Sequence, residues 1–176
     1  MNAKLTTLAI IAALFSVSSY ASDPVTINVT GKVVASPCTF DTANSTLNID
    51  LGEKGAADLA NPVSAFTEKP FNLVMKDCPA GTTNVIATFS GTDAADLTNG
   101  NAFKNMGTAT NMVIQVKPLA GTWDSVSFKS GSTMTSAVNT TAKTATFNLT
   151  TRAVTWTGGV SPGTVSASVV VDFTYQ

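Results

Sequence analysis

The side chains able to do chemistry in this chain are few, and the missing ones decide more than those present. Histidine is absent from all 176 residues. Without it there is no Ser-His-Asp or Cys-His nucleophile pair, no HExxH zinc site and no other His-containing metal centre. Cys38 and Cys78 are the only cysteines, too few for a zinc site and too far apart for a Cys-x-x-Cys redox motif. Asp93 and Asp96 offer carboxylates to a calcium ion, but no EF-hand-like ligand series accompanies them, and a solvated loop accounts for the pair. Trp123, in a Gly-Thr-Trp-Asp turn, and Trp156 could stack on a sugar or pack against a sheet; Trp123 is the better sugar candidate. Asn28, Asn44, Asn139 and Asn148 open Asn-x-Ser/Thr triplets, which signal glycosylation only in a eukaryotic secreted protein. No nucleophile, base and metal constellation can be assembled, so neither an enzyme nor a cofactor nor a small-molecule substrate is expected.

Lysine and arginine number 10 against 11 acidic residues, charged residues make up 12% of the chain, and the pI is near 5.2. The cations are scattered, which argues against a nucleic-acid partner. A hydrophobic fraction of 44%, alongside abundant Thr, Ser and Gly, predicts a folded all-β chain.

At the N-terminus Lys4 precedes a mostly apolar run, Leu5 to Val17, followed by Ser18-Ser19-Tyr20-Ala21. This reads as a signal peptide over residues 1–21, cleaved before Ser22; the run is too short to span a bilayer. A buried N-terminal helix is the alternative. The remainder has the size of one compact domain. Export places the cysteines in an oxidising compartment, where a lone pair forms one structural bridge; closing a loop of about 40 residues is worth roughly 4 kcal/mol.

Short alternating segments predict strands at Val25–Val33, Thr46–Leu51, Phe71–Lys76, Val85–Ser90, Met112–Lys117, Ala145–Thr155 and Val165–Tyr175. Short helical turns are expected at Ala56–Ala60 and Asp93–Leu97. In the first strand Val25, Ile27, Val29, Gly31 and Val33 share one face. In the last, Val165, Ala167, Val169, Val171, Phe173 and Tyr175 share another, and the sequence ends at Gln176. A last strand reaching the final residue leaves its neighbour to come from elsewhere; an ordinary edge strand at the N-terminus is the alternative.

These residues resemble the chaperone/usher fimbrial (pilus) subunits, and among them the minor or adaptor subunits of type 1 fimbriae. The resemblance covers nearly all of the chain after the signal. It rests on Val25-Thr-Ile-Asn-Val-Thr-Gly-Lys-Val-Val-Ala-Ser-Pro-Cys38, Leu73-Val-Met-Lys-Asp-Cys78-Pro79 and Val85-x-x-x-Phe89-x-Gly91. Further along it rests on Ala109-x-x-Met112-Val-Ile-Gln-Val116, on Phe147-x-Leu149-x-x-Arg152-Ala-Val154, and on Gly163 ahead of a penultimate Tyr175.

The resemblance implies an immunoglobulin-like β-sandwich that lacks its last strand and exposes a hydrophobic groove beside its C-terminal strand. It implies a donor-strand extension over 22–36, carrying Val25, Ile27, Val29, Gly31 and Val33, and a pilin domain over 37–176. Gly163, Val165, Ala167, Val169, Val171, Phe173 and Tyr175 would line the groove, filled first by a periplasmic chaperone and then by a neighbouring subunit's extension. An outer-membrane usher, passage through the periplasm, a place in a fimbria on the bacterial surface and support of cell adhesion are implied as well. The short stretch from Ser22 to Pro37 before Cys38 points to a minor subunit. With no room for the lectin domain of a tip adhesin, a connecting role is expected. A self-contained secreted β-sandwich that binds carbohydrate is the competing reading.

Gly31 is the one position in the first alternation without an inward side chain. A strand glycine costs roughly 0.5 to 1 kcal/mol relative to Ala, so it implies either close approach of another backbone or a bulge. The exported protein is expected to begin at Ser22 with Cys38 and Cys78 oxidised to each other. Intact mass checks both at once: a species two daltons (~2 Da) heavier with free thiols contradicts the bridge.

Overall fold

A computed structural model describes residues 25–95 and 100–176. The chain divides into two units, residues 1–32, of which 25–32 are described and carry no strand, and residues 33–176. The second unit is built from eight strands: β1 (Thr39–Phe40), β2 (Lys69–Lys76), β3 (Asn84–Ser90), β4 (Phe103–Lys104), β5 (Val113–Pro118), β6 (Ser132–Ala137), β7 (Ala145–Val154) and β8 (Val170–Tyr175). They form two antiparallel sheets, one ordered β1-β2-β7-β5-β4 and the other β6-β3-β8.

The alternation in β3 puts Val85, Ala87 and Phe89 inward, almost wholly buried. Opposite them Leu73 and Met75 of β2 and Ala145, Phe147 and Leu149 of β7 complete the core. Aromatic rings tie the two layers: Phe89 stacks on Phe128 at 4.5 Å between centroids, and Phe173 of β8 lies 5.7 Å from Phe147 and 5.8 Å from Phe40. A smaller cluster forms around Leu59, Ala109, Met112 and Ala153, and Val165 packs against both clusters.

Strand β5, between β7 and β4, departs from simple alternation, with Ile114, Gln115, Val116 and Lys117 all buried. Its polar residues survive burial because each is bonded. Gln115 Oε1 accepts from Arg152 Nε at 2.9 Å, and Lys117 Nζ donates to the carbonyls of Pro118 and Leu119 at 3.2 Å each.

Five of the expected segments fall on strands, at β2, β3, β5, β7 and β8, and the turn at Ala56–Ala60 is a 3-10 turn over Ala56–Leu59. Thr46–Leu51 is not a strand. It runs beside β2 on irregular bonds, Thr46 N to the Asn72 carbonyl at 2.9 Å and Val74 N to Ser45 Oγ at 2.8 Å. One backbone bond and one side-chain oxygen there take the place of a regular ladder. The last strand begins at Val170 and not at Val165, because pairing with β3 stops at Ser90↔Val170. Asp93 sits in an isolated bridge to Phe103, not in a helical turn; Asp96 and Leu97 lie outside the described residues. The sequence pattern missed β6, an edge strand of Ser and Thr with Met134 as its one large apolar residue.

The disulfide joins Cys38, just before β1, to Cys78, just after β2, with 4.2 Å between their Cα atoms. Beside it Asp41 is held as a carboxylate. Asn44 Nδ2 donates to its Oδ2 at 2.7 Å, Lys76 Nζ lies 3.6 Å from Oδ1, and the Ala43 N–H adds a third contact. The Asn44 bond, chiefly, and then the Lys76 charge hold its pKa below the usual carboxylate range against the opposing effect of burial.

A depressed folded-state pKa gives stability that is present above the unfolded-state value and lost as pH falls through the folded-state value. Asp41→Asn is therefore expected to lower the urea midpoint at neutral pH, and the gap to wild type should close as pH drops below about 4. A gap that stays constant across the titration contradicts this role for Asp41.

Candidate functional site

Strand β8 pairs with β3 on one side only, as the outer member of its sheet. Along its free side runs an open groove of about 1470 Å³ that reaches into the core. The alternation of β8 turns Val171 and Phe173 toward the groove and leaves Val170 outward, 62% exposed. Phe40, Leu73 and Phe89 line its depth, and the irregular segment 46–56 forms a wall. The apolar walls are only partly covered, so they retain surface that a further strand would remove from water.

Of the residues expected at such a groove, Gly163, Val165, Ala167, Val169, Val171 and Phe173 line it. Tyr175 does not. It packs against the core, and its hydroxyl donates to the Cys38 carbonyl at 3.3 Å, with burial raising its pKa. Gly163 has a second role, since an added Cβ would come within 2.5 Å of the Ala109 backbone nitrogen. This is a close backbone approach that only glycine permits.

The far end of the groove opens over the smaller cluster, where Leu59, Phe66, Ala109, Met112 and Val160 face it. Sequence reasoning missed this end, because those residues come from loops and from the margins of strands. Met112 stood out only as the start of an expected strand and, with Ala109, as part of a longer motif.

In the first unit Val25, Ile27 and Val29 are 83%, 81% and 88% exposed, and Val33, which opens the second unit, is fully exposed. Four β-branched side chains on alternate positions, all facing water, are unusual for a folded chain. Gly31 has no positive φ, and an added Cβ there meets nothing within 4 Å. Its own backbone therefore gives no reason for glycine.

On the opposite side of the larger sheet Trp123 is engaged and not presented. Its Nε1 donates to Glu68 Oε1 at 2.8 Å, and the cations of Arg152 and Lys117 lie 4.3 Å and 4.9 Å from the ring centroid. These contacts hold the indole as a packing element over β5 and β7 and do not favour a sugar-stacking platform. Asp93 Oδ1 accepts the Ser130 N–H, and no group of three or more metal-ligating side chains occurs among the described residues. No helix among them is long and apolar enough to cross a membrane.

The family described as "Fimbrial protein" matches residues 27–176. Protein FimG of Escherichia coli (strain K12) is 39% identical over 169 residues, covering 96% of this chain and 95% of that one. The type-1 fimbrial protein A chain of the same strain is 28% identical, covering 86% and 83%. In three dimensions the crystal structure of the P pilus rod subunit PapA aligns with a TM-score of 0.60 at 16% identity, covering 86% of this chain and 99% of that one. A two-sheet antiparallel sandwich with a groove along the open side of its C-terminal strand thus coincides with a match that runs nearly the full length of its relatives, and the chain belongs to the fimbrial protein family as a structural pilus subunit with an incomplete immunoglobulin-like fold.

Proposed function

We propose that this subunit joins its neighbours by donor-strand exchange. Val25, Ile27, Val29, Gly31 and Val33 serve as the donor strand for another subunit. The groove lined by Gly163, Val165, Ala167, Val169, Val171 and Phe173 accepts a donor in return, while Tyr175 packs against the core. The observation that carries this reading is the occurrence of two incomplete features on one chain: an apolar groove beside an unpaired strand edge, and an exposed segment whose apolar residues alternate as those of the absent strand would.

The physical basis is β-augmentation, in which backbone hydrogen bonds supply affinity and alternate side chains entering pockets supply register. Burying four valine-sized or isoleucine-sized side chains contributes about 1.5 to 3 kcal/mol each, before ordering of the extension is subtracted. A long-lived joint follows. A groove this apolar needs cover before a neighbour arrives, and a periplasmic chaperone offering its own strand provides it. An outer-membrane usher then supports exchange of one strand for the other.

In this reading residues 1–21 direct export, 22–36 form the extension and 37–176 the acceptor domain. The subunit passes through the periplasm to a fimbria on the cell surface, where it connects other subunits and supports adhesion without itself recognising a receptor. No catalytic step is involved.

Two experiments test the two halves separately. Phe173→Asp places an unpaired charge in the groove at a cost of several kcal/mol and is expected to abolish capture by the chaperone. Recovery of that variant in a stoichiometric periplasmic complex contradicts the groove assignment. For the donor half, a synthetic Ser22 to Ala35 peptide with Gly31→Leu is expected to enter a chaperone-held acceptor more slowly and to a lower final occupancy. The added bulk overpacks the groove by about 1 to 3 kcal/mol. Equal rates and occupancies for the two peptides remove Gly31 from the donor role.

A further inference from the structure

We infer that Asn105 is a positioning residue that sets the Val165 end of the groove, an inference that rests on the donor-strand reading. The segment 161–169 continues β8 backward but has left β3, whose pairing ends at Ser90↔Val170. It still has to present Val165, Ala167 and Val169 at fixed places along the groove wall. Segment 105–110, which leads directly out of β4, supplies the missing partner.

Asn105 does this with one carboxamide. Its Oδ1 accepts from Ser166 N at 2.9 Å and from Gly107 N at 2.9 Å, while its Nδ2 donates to the Ala109 carbonyl at 2.8 Å. The bond to Ser166 fixes the residue next to Val165, and the other two fold the 105–109 loop against it. Backbone bonds from Met106 N to the Ser166 carbonyl at 2.8 Å and from Ala109 N to the Thr164 carbonyl at 3.0 Å complete the seam. Thr108 and Thr164 exchange further bonds, each backbone N–H donating to the other's hydroxyl oxygen, at 3.1 Å and 2.9 Å.

The approach is close enough that a Cβ on Gly107 would lie 2.1 Å from the Thr164 carbonyl oxygen. Such a seam has little slack, and its base is anchored by the Phe103↔Ile114 and Lys104↔Val113 pairs of β4 with β5. Among the described residues Val165 is the one that packs against both hydrophobic clusters, so a shift there reshapes the far end of the groove and leaves the Phe173 end alone.

The test measures release of a labelled Ser22 to Ala35 peptide from the full mature, disulfide-intact subunit, in double-mutant cycles. Asn105→Ala is expected to speed release about tenfold. Combined with Val165→Ala it should add little beyond the single variants, whereas combined with Phe173→Ala the two effects should multiply. Asn105→Asp keeps the oxygen that receives Ser166 and Gly107 and is expected to recover most of the residence time. If Asn105→Ala does not fold, Thr164→Val removes the neighbouring hydroxyl of the seam, and the same cycle is run with it.

Release unchanged by either seam variant, or effects that multiply equally with Val165→Ala and Phe173→Ala, overturn the positioning role. A wild-type subunit that takes up no peptide instead overturns the donor-strand reading and the inference with it.

Discussion

A strand at the edge of a sheet presents backbone donors and acceptors that either find a partner or remain solvated, and an apolar face beside such an edge makes solvation a poor resting state. In this subunit the free side of β8 is that edge, and the rest of the sandwich is arranged around it. The larger sheet supplies a floor of Leu73 with Phe40 at its margin, the smaller sheet supplies Phe89 and Phe173, and nothing from the second unit's own strands closes the gap. The fold is therefore complete as a scaffold and incomplete as a surface. Under the proposed donor-strand reading, the apolar contacts that would stabilise a self-sufficient sandwich are left for a partner to make.

Holding such a gap open requires walls that do not collapse into it. The core behind the groove is tight, with Val85, Ala87, Phe89, Phe147 and Leu149 each at most 1% exposed, so the β3 and β7 layers cannot slide together. The wall beyond β8 has no ladder and is held by a seam of side-chain and backbone bonds between 105–110 and 161–166. Glycines at 107 and 163 allow the two backbones to come closer than side chains permit. Rigidity at one end thus comes from packing, and at the other from hydrogen bonding.

How much of this could be read from the sequence follows from which forces leave a period-two trace. β2, β3 and β7 bury apolar residues on one face and were visible as alternation, β5 was visible as a β-branched run, and the disulfide followed from two cysteines together with an expected export signal. β6 escaped because an edge strand of Ser and Thr exposes as much as it buries. Thr46–Leu51 and Val165–Val169 show the converse error: alternation persists where side chains still face the groove, although a regular backbone ladder has given way to scattered backbone and side-chain bonds. The alternation from Val165 to Phe173 was legible for that same reason, while its assignment to an acceptor groove came from the family resemblance. Asn105 was not, since a single asparagine bonding to a loop and a distant segment leaves no pattern in the chain.

The placement of the disulfide has a mechanical consequence. A pull on the chain ahead of Cys38 does not have to travel through the two residues of β1, because the bridge carries it directly to Cys78, at the junction between β2 and β3. From there the tension divides between the two sheets of the sandwich, entering one through the seven Cα pairs of β2 with β7 and the other through the six of β3 with β8. The two-residue strand β1 is thereby taken out of the load path, and in a fibre joined as proposed above the tension would reach the two sheets without first passing through that short strand.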